Sequence, residues 1–340
     1  MKPTHSATIK DVAKKAKVSI ATVSRVLNNL TGYSDKTRQK VMEAIKETNY
    51  QPNAIARGLI NKRTQTIGVL LPKVSVQFSS DILQGIGEYA QSHDYSVIVC
   101  NTDADGSRTL KYLQVLREKQ VDGIIYTSEV LKPEYYEVIQ AMKIPVVLVA
   151  SESPYASVPY VKVNDWQASY DAVTYLIGKG HRRIAMISGT EKDPIAGRPR
   201  VQGYLKALAD HGIPFDSKYL VHGNFLFDGG YRGMEEILQK APEVTAVFAA
   251  SDETALGVLS AAAKHGVKVP QDLSLVGYDN VKLAQMSVPA LTTVQQPLFA
   301  MGQVAAAKLI SMIMTGVVAE NQLVPHSIVE RETVGTIGND

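Results

Sequence analysis

TIKDVAKKAKVSIATVSRVLNN, residues 8–29, contains two short helical patterns joined by a tight turn. The first helix has one apolar face and one lysine-rich face, because its apolar residues recur at i, i+3, i+4 and i+7: Ile9, Val12, Ala13 and Ala16. Thr8 is suited to cap this helix, and Ser19 is suited to cap the second. The spacing predicts a helix-turn-helix.

The second helix of the pair has an apolar side formed by Val23, Val26 and Leu27. Its outward face carries two i, i+4 pairs, Ile20 with Ser24 and Ala21 with Arg25. A helix with this outer face can enter the major groove of DNA. The alternative is an ordinary pair of basic helices whose lysines are simply solvated.

The distribution of charge favours the DNA-binding interpretation. Residues 1–63 carry 13 Lys and Arg against four Asp and Glu, a net charge of +9, whereas the remaining residues carry a net charge of −6. The whole-chain value of +3 therefore combines a strongly basic head with an acidic body. Such asymmetry indicates a nucleic-acid partner.

A third helix and a basic linker follow the pair. Ser34 opens the third helix, and Pro52 ends the helical pattern of this region. The next segment, NAIARGLINKRT, has the composition of a linker, but Leu59 lies between Arg57 and Lys62. An apolar side chain flanked by basic residues can enter a minor groove and bend DNA.

The rest of the 340-residue chain is predicted to be an α/β protein. Apolar runs alternate with helical patterns in two series: TIGVLLP, SVIVCNTD, VDGIIYTS and IPVVLVA, then RRIAMISG, TAVFAASD and LSLVGYD. This alternation predicts two doubly wound parallel sheets, with the first crossover near Asn164. In such sheets, ligands bind where loops converge at the carboxyl ends of strands.

Composition predicts a cytoplasmic protein. No apolar run approaches the roughly 18 residues of a membrane span, and the N-terminus lacks the apolar stretch of a signal peptide. A single cysteine, Cys100, excludes disulfides within the chain and is expected to be a buried core thiol.

Several motifs resemble the LacI/GalR (lactose-repressor) family: VSIATVSRVLNN, NYQPNAIARGL, TIGVLLP, GKGHRRIAMISG and VPQDLSLVGYDN. The resemblance implies a helix-turn-helix headpiece at residues 1–50, a hinge at 51–63 and a periplasmic-binding-protein-like core at 64–340. Within that core it implies an N-subdomain of 64–163 and 292–322, and a C-subdomain of 164–291 and 323–340.

The resemblance also implies which residues bind DNA. Ile20, Ala21 and Arg25 are expected to reach base edges, and Leu59 to be the hinge wedge. Arg25 can donate two hydrogen bonds to guanine, and either apolar residue can touch a thymine methyl group. The other expected DNA-binding residues, including phosphate contacts, are Thr8, Ser19, Thr22, Ser24, Asn28, Asn53 and Ala56.

A small effector is expected in the cleft of the core. Asp279 follows the strand SLVGY, where it is either a ligand-binding carboxylate or an ordinary turn residue. The resemblance favours the ligand-binding role and identifies Arg200, whose nearest alternative is Arg198, as the effector-binding arginine. It also places Phe78 and Phe225 against the ligand, although from sequence alone either ring would more often belong to a core.

Two further positions complete the expected effector site. Asp252 matches a cleft-edge acid, with a helix-capping role for Ser251 or Asp252 as the alternative. Ser79 follows Phe78, where the family often has a second aromatic residue. Together these residues describe a site for a sugar or sugar phosphate.

Features shared with the catabolite-control branch of the family leave a second regulator type open. Ala21, the ARGL hinge and Ala150 resemble that branch, whose co-regulator is a serine-phosphorylated phosphocarrier protein. Its phosphoserine-binding arginine is replaced near Ser287 and Val288, which favours a small-molecule effector. The residues after Val329 lack a leucine heptad, so a homodimer is expected.

The two rival classes find little support. An enzyme would need a recognisable site, and the chain has no nucleophile elbow, phosphate-binding loop or metal-ligand spacing among its seven histidines. We therefore expect neither catalysis nor a cofactor or metal. A sugar-binding protein of a transporter would share the core but would lack a basic headpiece.

Overall fold

The computed structural model describes residues 7–27, 30–50, 63–73, 76–103 and 106–337. The chain divides into two compact units, Met1–Gln65 and Thr66–Asp340. The first unit contains helices α1 (Ile9–Ala16), α2 (Ile20–Leu27) and α3 (Asp35–Thr48). Residues 51–62, almost the whole of the predicted hinge, lie outside the described residues.

The first unit is a helix-turn-helix with a third helix completing its core. Val12, Val23 and Val41 supply one fully buried side chain from each helix. Ser19 caps α2, because its hydroxyl accepts a hydrogen bond of 3.1 Å from the Thr22 N–H. The two apolar patterns therefore pack against one another, as their spacing predicts.

The second unit begins with alternating strands and helices. In chain order these are β1 (Thr66–Leu71), α4 (Gln77–Ser92), β2 (Ser96–Asn101), α5 (Thr109–Glu118), β3 (Gly123–Thr127), α6 (Pro133–Met142), β4 (Val146–Val149) and β5 (Tyr160–Val163). Next come α7 (Asp165–Gly178), β6 (Ile184–Ser188), α8 (Gly197–Asp210), a 3₁₀ turn (Ser217–Tyr219), β7 (Leu220–His222), α9 (Phe227–Lys240), β8 (Ala246–Ala249) and α10 (Asp252–Lys264). The remaining elements are β9 (Ser274–Asp279), α11 (Lys282–Met286), β10 (Thr292–Gln295), α12 (Leu298–Thr315), β11 (Gln322–Val324) and β12 (Ser327–Val329).

These strands form two six-stranded sheets. The first has the order β11-β5-β4-β3-β1-β2 and is parallel throughout. The second has the order β12-β10-β9-β8-β6-β7, and only its edge strand β12 runs antiparallel to its neighbour. Each sheet has two separate apolar cores. Two doubly wound sheets are thus confirmed, with one antiparallel strand that the sequence did not predict.

The expected positions of the later crossovers are wrong by a few residues. Residues 292–295 were assigned to the N-subdomain, but β10 pairs with β9 in the second sheet. Residues 323 and 324 were assigned to the C-subdomain, but β11 pairs with β5 in the first sheet. The second and third crossovers therefore lie at 296–297 and 325–326, directly after β10 and β11, because each strand stays in its sheet as long as it is hydrogen-bonded to its neighbour.

Helix α12 contradicts the expectation that no segment is long and apolar enough to span a membrane. Its 18 residues have a mean hydropathy of 1.5, so by length and composition alone the helix could cross a membrane. Its buried residues, which include Met301, Ala305 and Leu309, belong to the core on one side of the first sheet. Core helices pass the same composition test, and the packing identifies α12 as one of them.

Candidate functional site

The outward face of α2 carries the residues expected to read DNA. Ile20 is 45% exposed, and Ala21 and Arg25 are also exposed, whereas Val23 and Val26 are buried beneath them. The three side chains therefore face solvent on the side of α2 opposite the headpiece core. Sequence spacing alone was enough to separate these two faces.

Two of the expected DNA-binding residues have capping roles. The Asp11 carboxylate accepts hydrogen bonds from the backbone N–H of Thr8, at 2.8 Å, and from its hydroxyl, at 2.7 Å. The Ser19 hydroxyl also lies 2.9 Å from that of Thr22. Ser24 is half-buried on α2. The remaining candidates lie outside the described residues: Asn28, Asn53, Ala56 and Leu59.

The second unit contains a cavity of 490 Å³ between its two sheets, which we call the cleft cavity. It lies at the carboxyl ends of parallel strands, where an α/β protein places its ligand site. Its walls include a residue at or after the ends of β3, β4, β6, β7, β8 and β9, namely Ser128, Ala150, Thr190, Phe225, Ser251 and Asp279.

Four of these wall residues have left-handed backbone conformations. The φ angles are +58° at Ser128, +49° at Ala150, +64° at Phe225 and +115° at Asp279. Such conformations cost of order 1 to 3 kcal/mol at a residue other than glycine, and they cluster at functional sites. All four residues lie after the carboxyl ends of strands or at them, where the chain turns along the cavity wall.

Arg200 lies deep in the wall of the cleft cavity and is 5% exposed. Its Nη1 donates a hydrogen bond of 2.5 Å to the Ala250 carbonyl oxygen, and its Nε and Nη2 donate to Asp165. The guanidinium carbon lies 3.6 Å from the centre of the Tyr278 ring. Its neighbour Arg198 is exposed and does not line the cavity, which separates the two candidate arginines.

Asp279 is 7% exposed and lines the same cavity. Its Oδ1 accepts a hydrogen bond of 2.8 Å from Nε2 of Gln296. Burial raises the pKa of Asp279 to about 7, although the positive charge of Arg200 and the Gln296 hydrogen bond lower it. The carboxyl group thus keeps its proton to a higher pH than an exposed aspartate does, in the same cavity wall as the Arg200 guanidinium.

Aromatic and small residues shape the apolar walls. The Phe225 ring lies where a Cβ on Gly189 would overlap it, so glycine at that position makes room for the ring. The Arg200 guanidinium lies 5.6 Å from the centre of the same ring. Phe78 is half-buried in the wall, and Ser79 beside it is 2% exposed. Five of the six expected effector residues, from both subdomains, therefore line one cavity.

Asp252 is the exception, because it does not line the cleft cavity. It is fully buried, and its two carboxylate oxygens accept hydrogen bonds from the Val281 N–H, at 2.8 Å, and the Thr293 hydroxyl, at 2.5 Å. Ser251 caps α10, since its hydroxyl accepts a hydrogen bond of 3.0 Å from the Thr254 N–H. Ser251, and not Asp252, is therefore the residue that caps the helix. The prediction that Asp252 lies at the edge of the cleft is wrong.

Sequence reasoning missed Lys162, Asp165 and Gln296 in the cavity wall. Lys162 and Asp165 are 6% exposed, and their side chains form an ion pair of 3.6 Å. Charged residues this deeply buried are uncommon. The available signal was a lysine inside an otherwise apolar strand pattern, YVKV, followed directly by the crossover.

Family models match nearly the whole chain. A model described as "Bacterial regulatory proteins, lacI family" matches residues 8–53. A model described as "Periplasmic binding proteins and sugar binding domain of LacI family" matches residues 64–332. The two matches correspond to the basic headpiece and to the two-sheet unit.

Characterised relatives extend over almost the same length. The chain is 40% identical over 328 residues to Catabolite control protein A of Priestia megaterium, covering 96% of this chain and 98% of that protein. It is 37% identical over 309 residues to the HTH-type transcriptional repressor CytR of Escherichia coli K12, covering 91% and 90%.

Solved structures agree. The Lac repressor dimer bound to operator and the anti-inducer ONPF covers 97% of this chain and 99% of its own, with a TM-score of 0.87 and 29% identity. The complex of the transcriptional regulator CelR with cellobiose covers 96% and 99%, with a TM-score of 0.73 and 30% identity. From its headpiece, its two-sheet core and these relatives, the chain belongs to the LacI family of DNA-binding transcriptional regulators.

Proposed function

We propose that this regulator is a cytoplasmic homodimer that represses transcription by binding a pseudo-palindromic operator, and that a sugar or sugar phosphate in the cleft cavity switches its DNA affinity. Two-fold symmetry of a dimer would match the two half-sites of such an operator. The observation that carries the proposal is the meeting of Arg200 and Asp279 in a 490 Å³ cavity.

In the headpiece, we assign base reading to the outward face of α2. The exposed side chains of Ile20, Ala21 and Arg25 lie on one side of a helix whose opposite side is buried. Thr22, Ser24 and Asn28 are assigned to phosphate contacts, together with the surrounding lysines. Leu59 is assigned to the minor groove at the centre of the operator, where a wedge from each subunit would bend the duplex.

In the cleft cavity, polar groups are suited to bind hydroxyl groups or an anionic substituent. Arg200 has five N–H donors, of which three have protein acceptors among the described residues. Asp279 accepts through one oxygen from Gln296, which leaves its second oxygen for a ligand. Phe78 and Phe225 supply the apolar faces that sugar rings pack against.

The switch we propose is a change in how the two subdomains pack. An effector bound between the sheets contacts both subdomains and so favours one of their arrangements. A coupling free energy of about 1 to 3 kcal/mol would change operator affinity by roughly 5- to 150-fold. The chain acts in this scheme as a regulator rather than as an enzyme.

In a second candidate function, the protein still binds an operator but responds to a different signal. The 40% identity to Catabolite control protein A over 96% of this chain favours a regulator of the catabolite-control type, with a serine-phosphorylated phosphocarrier protein as co-regulator. The replacement of the expected phosphoserine-binding arginine near Ser287 and Val288 argues against it.

The test is an operator titration with purified protein, alone and with a panel that includes cellobiose, D-ribose and hexose phosphates. We expect at least one sugar to shift operator affinity, and the shift to disappear in the Arg200→Ala, Asp279→Ala double variant while effector-free operator binding persists. A double variant that responds normally contradicts the assignment of the cavity. A response to the phosphorylated phosphocarrier protein alone would instead support the catabolite-control candidate.

A further inference from the structure

Part of the cleft cavity wall belongs to the first sheet and contains no residue that was expected to bind the effector. We call it the tyrosine recess, and it is lined by Gly106, Tyr126, Glu129, Lys132 and Tyr135. Tyr126 lies on β3, Glu129 follows that strand, and Tyr135 lies on α6. Both tyrosines are almost fully buried, at 1% and 4% exposure, whereas Lys132 is exposed.

The polar atoms of the tyrosine recess converge beside Gly106. A Cβ at this position would lie 3.1 Å from Oη of Tyr135 and 3.8 Å from Oε2 of Glu129. The ring centres of Tyr126 and Tyr135 are 6.4 Å apart. Two phenols and one carboxylate therefore border the same small space in the cavity.

The two phenol hydroxyls already use their hydrogens within the protein. The Tyr126 hydroxyl donates a hydrogen bond of 2.7 Å to Oε2 of Glu129, and the Tyr135 hydroxyl donates one of 3.3 Å to the Gly106 carbonyl oxygen. Burial raises the pKa of Tyr126, and the charge of Glu129 raises it further, so this phenol keeps its proton. A phenol has one O–H donor, and its oxygen can also accept. Towards a ligand, both phenols thus present acceptor oxygens.

An ammonium group of the protein itself lies at the tyrosine recess. Nζ of Lys132 is 5.3 Å from the centre of the Tyr135 ring. Contact with the Tyr135 side chain raises the pKa of Lys132, and the charges of Glu134 and Glu129 raise it further. Ring faces and carboxylates both attract cations. The tyrosine recess therefore stabilises a positive charge, whereas a phosphate there would face the Glu129 carboxylate.

We infer that the tyrosine recess binds a protonated amino group of the effector, and that the effector is an amino sugar. The ammonium group would donate to Glu129 and to the two phenol oxygens, and it would displace Nζ of Lys132, whose exposed side chain can extend into solvent. The inference rests on the proposed function for the sugar ring, whose hydroxyl groups would meet Arg200 and Asp279 elsewhere in the same cavity.

The test is a calorimetric titration of effector-free, full-length protein in the absence of DNA. The ligands are D-glucosamine, D-galactosamine and D-mannosamine, each compared with its parent hexose below neutral pH, where the amino groups are charged. We expect at least one hexosamine to bind about tenfold more tightly than its parent, because a charged hydrogen bond is stronger than a neutral one. Equal affinities in all three pairs, or no binding of any hexosamine, would overturn the inference.

Glu129→Gln tests the carboxylate of the tyrosine recess. It removes the charge and keeps an oxygen that can accept from Tyr126. We expect it to lower the ratio of hexosamine to hexose affinity by about fivefold or more, and an unchanged ratio would contradict the inference. Glu137→Gln, at an exposed position of α6 that does not line the cavity, is the matched control and should preserve the ratio.

Lys132→Met distinguishes a cation from an anion in the tyrosine recess. Without the competing ammonium group, a hexosamine should bind about two- to fivefold more tightly. An anionic group in the recess would instead bind more weakly, because Lys132 would be its partner. Weaker binding of the hexosamine to this variant would therefore overturn the inference.

Two outcomes separate this inference from the proposed function. If a hexosamine binds with the expected preference but does not shift operator affinity, the tyrosine recess stands and the proposed switch fails. If a neutral sugar shifts operator affinity and an amino group adds nothing, the proposed function stands and the amino-group site fails.

Discussion

Gly203 on α8 lies directly against the backbone carbonyl oxygen of Trp166 on α7. A Cβ built on Gly203 would overlap that oxygen, so the two helices can approach this closely only because the residue is glycine. Arg200 precedes Gly203 by one turn, and Asp165 precedes Trp166 by one residue. The close approach of the helices therefore places the guanidinium beside its carboxylate.

Gly203→Ala is expected to destabilise the protein by about 1 to 3 kcal/mol, because the new methyl group must push α8 away from α7. It should also weaken the sugar response more than its loss of stability explains, since the Arg200–Asp165 contact depends on the same helix pair. Urea unfolding and operator titration measure the two effects. Gly87→Ala, at a helix position with open space around it, is the control.

Gly87→Ala should leave the sugar response unchanged and should raise stability by about 0.5 to 1 kcal/mol, because alanine favours a helix interior. Equal stabilisation by the two alanines would show that helix propensity, and not the α7–α8 contact, governs both positions.

Arg25→Ala is expected to weaken operator preference by roughly 5- to 150-fold, while salt-sensitive DNA binding persists. A bidentate arginine–guanine contact contributes about 1 to 3 kcal/mol of discrimination, and phosphate contacts contribute none. Competition between operator and random DNA measures the preference. Lys46→Ala, in the last turn of α3, removes the same charge away from the reading face and should preserve the ratio. An Arg25→Ala protein whose ratio of operator to random-DNA binding is unchanged would contradict the assignment of α2.

Asp279→Asn should change how stability depends on pH. The folded-state pKa of about 7 lies above the usual aspartate value of about 3.9, so the folded chain binds this proton more tightly than the unfolded chain. The stabilisation is present at low pH and is lost as pH rises through 7. Between pH 5 and pH 8 the free energy of unfolding of the wild-type protein should fall by about 2 to 3 kcal/mol more than that of the variant.

Urea unfolding of effector-free protein across this range measures the difference. The same pH dependence in both proteins would show that Asp279 does not titrate near neutrality, and that another group accounts for the wild-type profile.

Asp252→Ala is expected to act on stability rather than on effector recognition. The substitution leaves the Val281 N–H and the Thr293 hydroxyl without their buried acceptor. Two such losses should lower the free energy of unfolding by about 2 to 5 kcal/mol. Glu253→Ala changes the next side chain, which is half-buried and lines the cavity. This variant should weaken the sugar response and leave the free energy of unfolding unchanged. An Asp252→Ala protein that is stable but lacks a sugar response would contradict this prediction and would show that Asp252 acts in effector recognition.

Periodic features of the structure could be predicted closely from the sequence. The split of α2 into a buried side, with Val23, and an exposed side, with Arg25, follows from the 3.6-residue period of a helix. The alternation of strands and helices likewise predicts two wound sheets. Each of these depends on local spacing, which every amphipathic helix or buried strand must obey.

The crossovers and the buried charges could not be predicted in the same way. Strand β10 joins the second sheet because of its neighbour β9, and its own residues would suit either sheet. Asp252 and Asp279 both follow apolar strands in sequence. Asp252 is nevertheless fully buried and accepts a hydrogen bond from the backbone, whereas Asp279 faces the cavity. Which way each carboxylate faces depends on hydrogen-bond partners contributed by distant segments.

The sequence by itself determined a basic helix-turn-helix followed by an α/β core, because periodicity, caps and charge are local properties of the chain. Only the tertiary structure decided how Lys162, Asp165 and Arg200 combine, since a strand of the first sheet and two helices that pack on the second meet there. The physical reason is electrostatic: buried charges are stable only when the fold brings their partners within reach, and no residue spacing specifies that meeting.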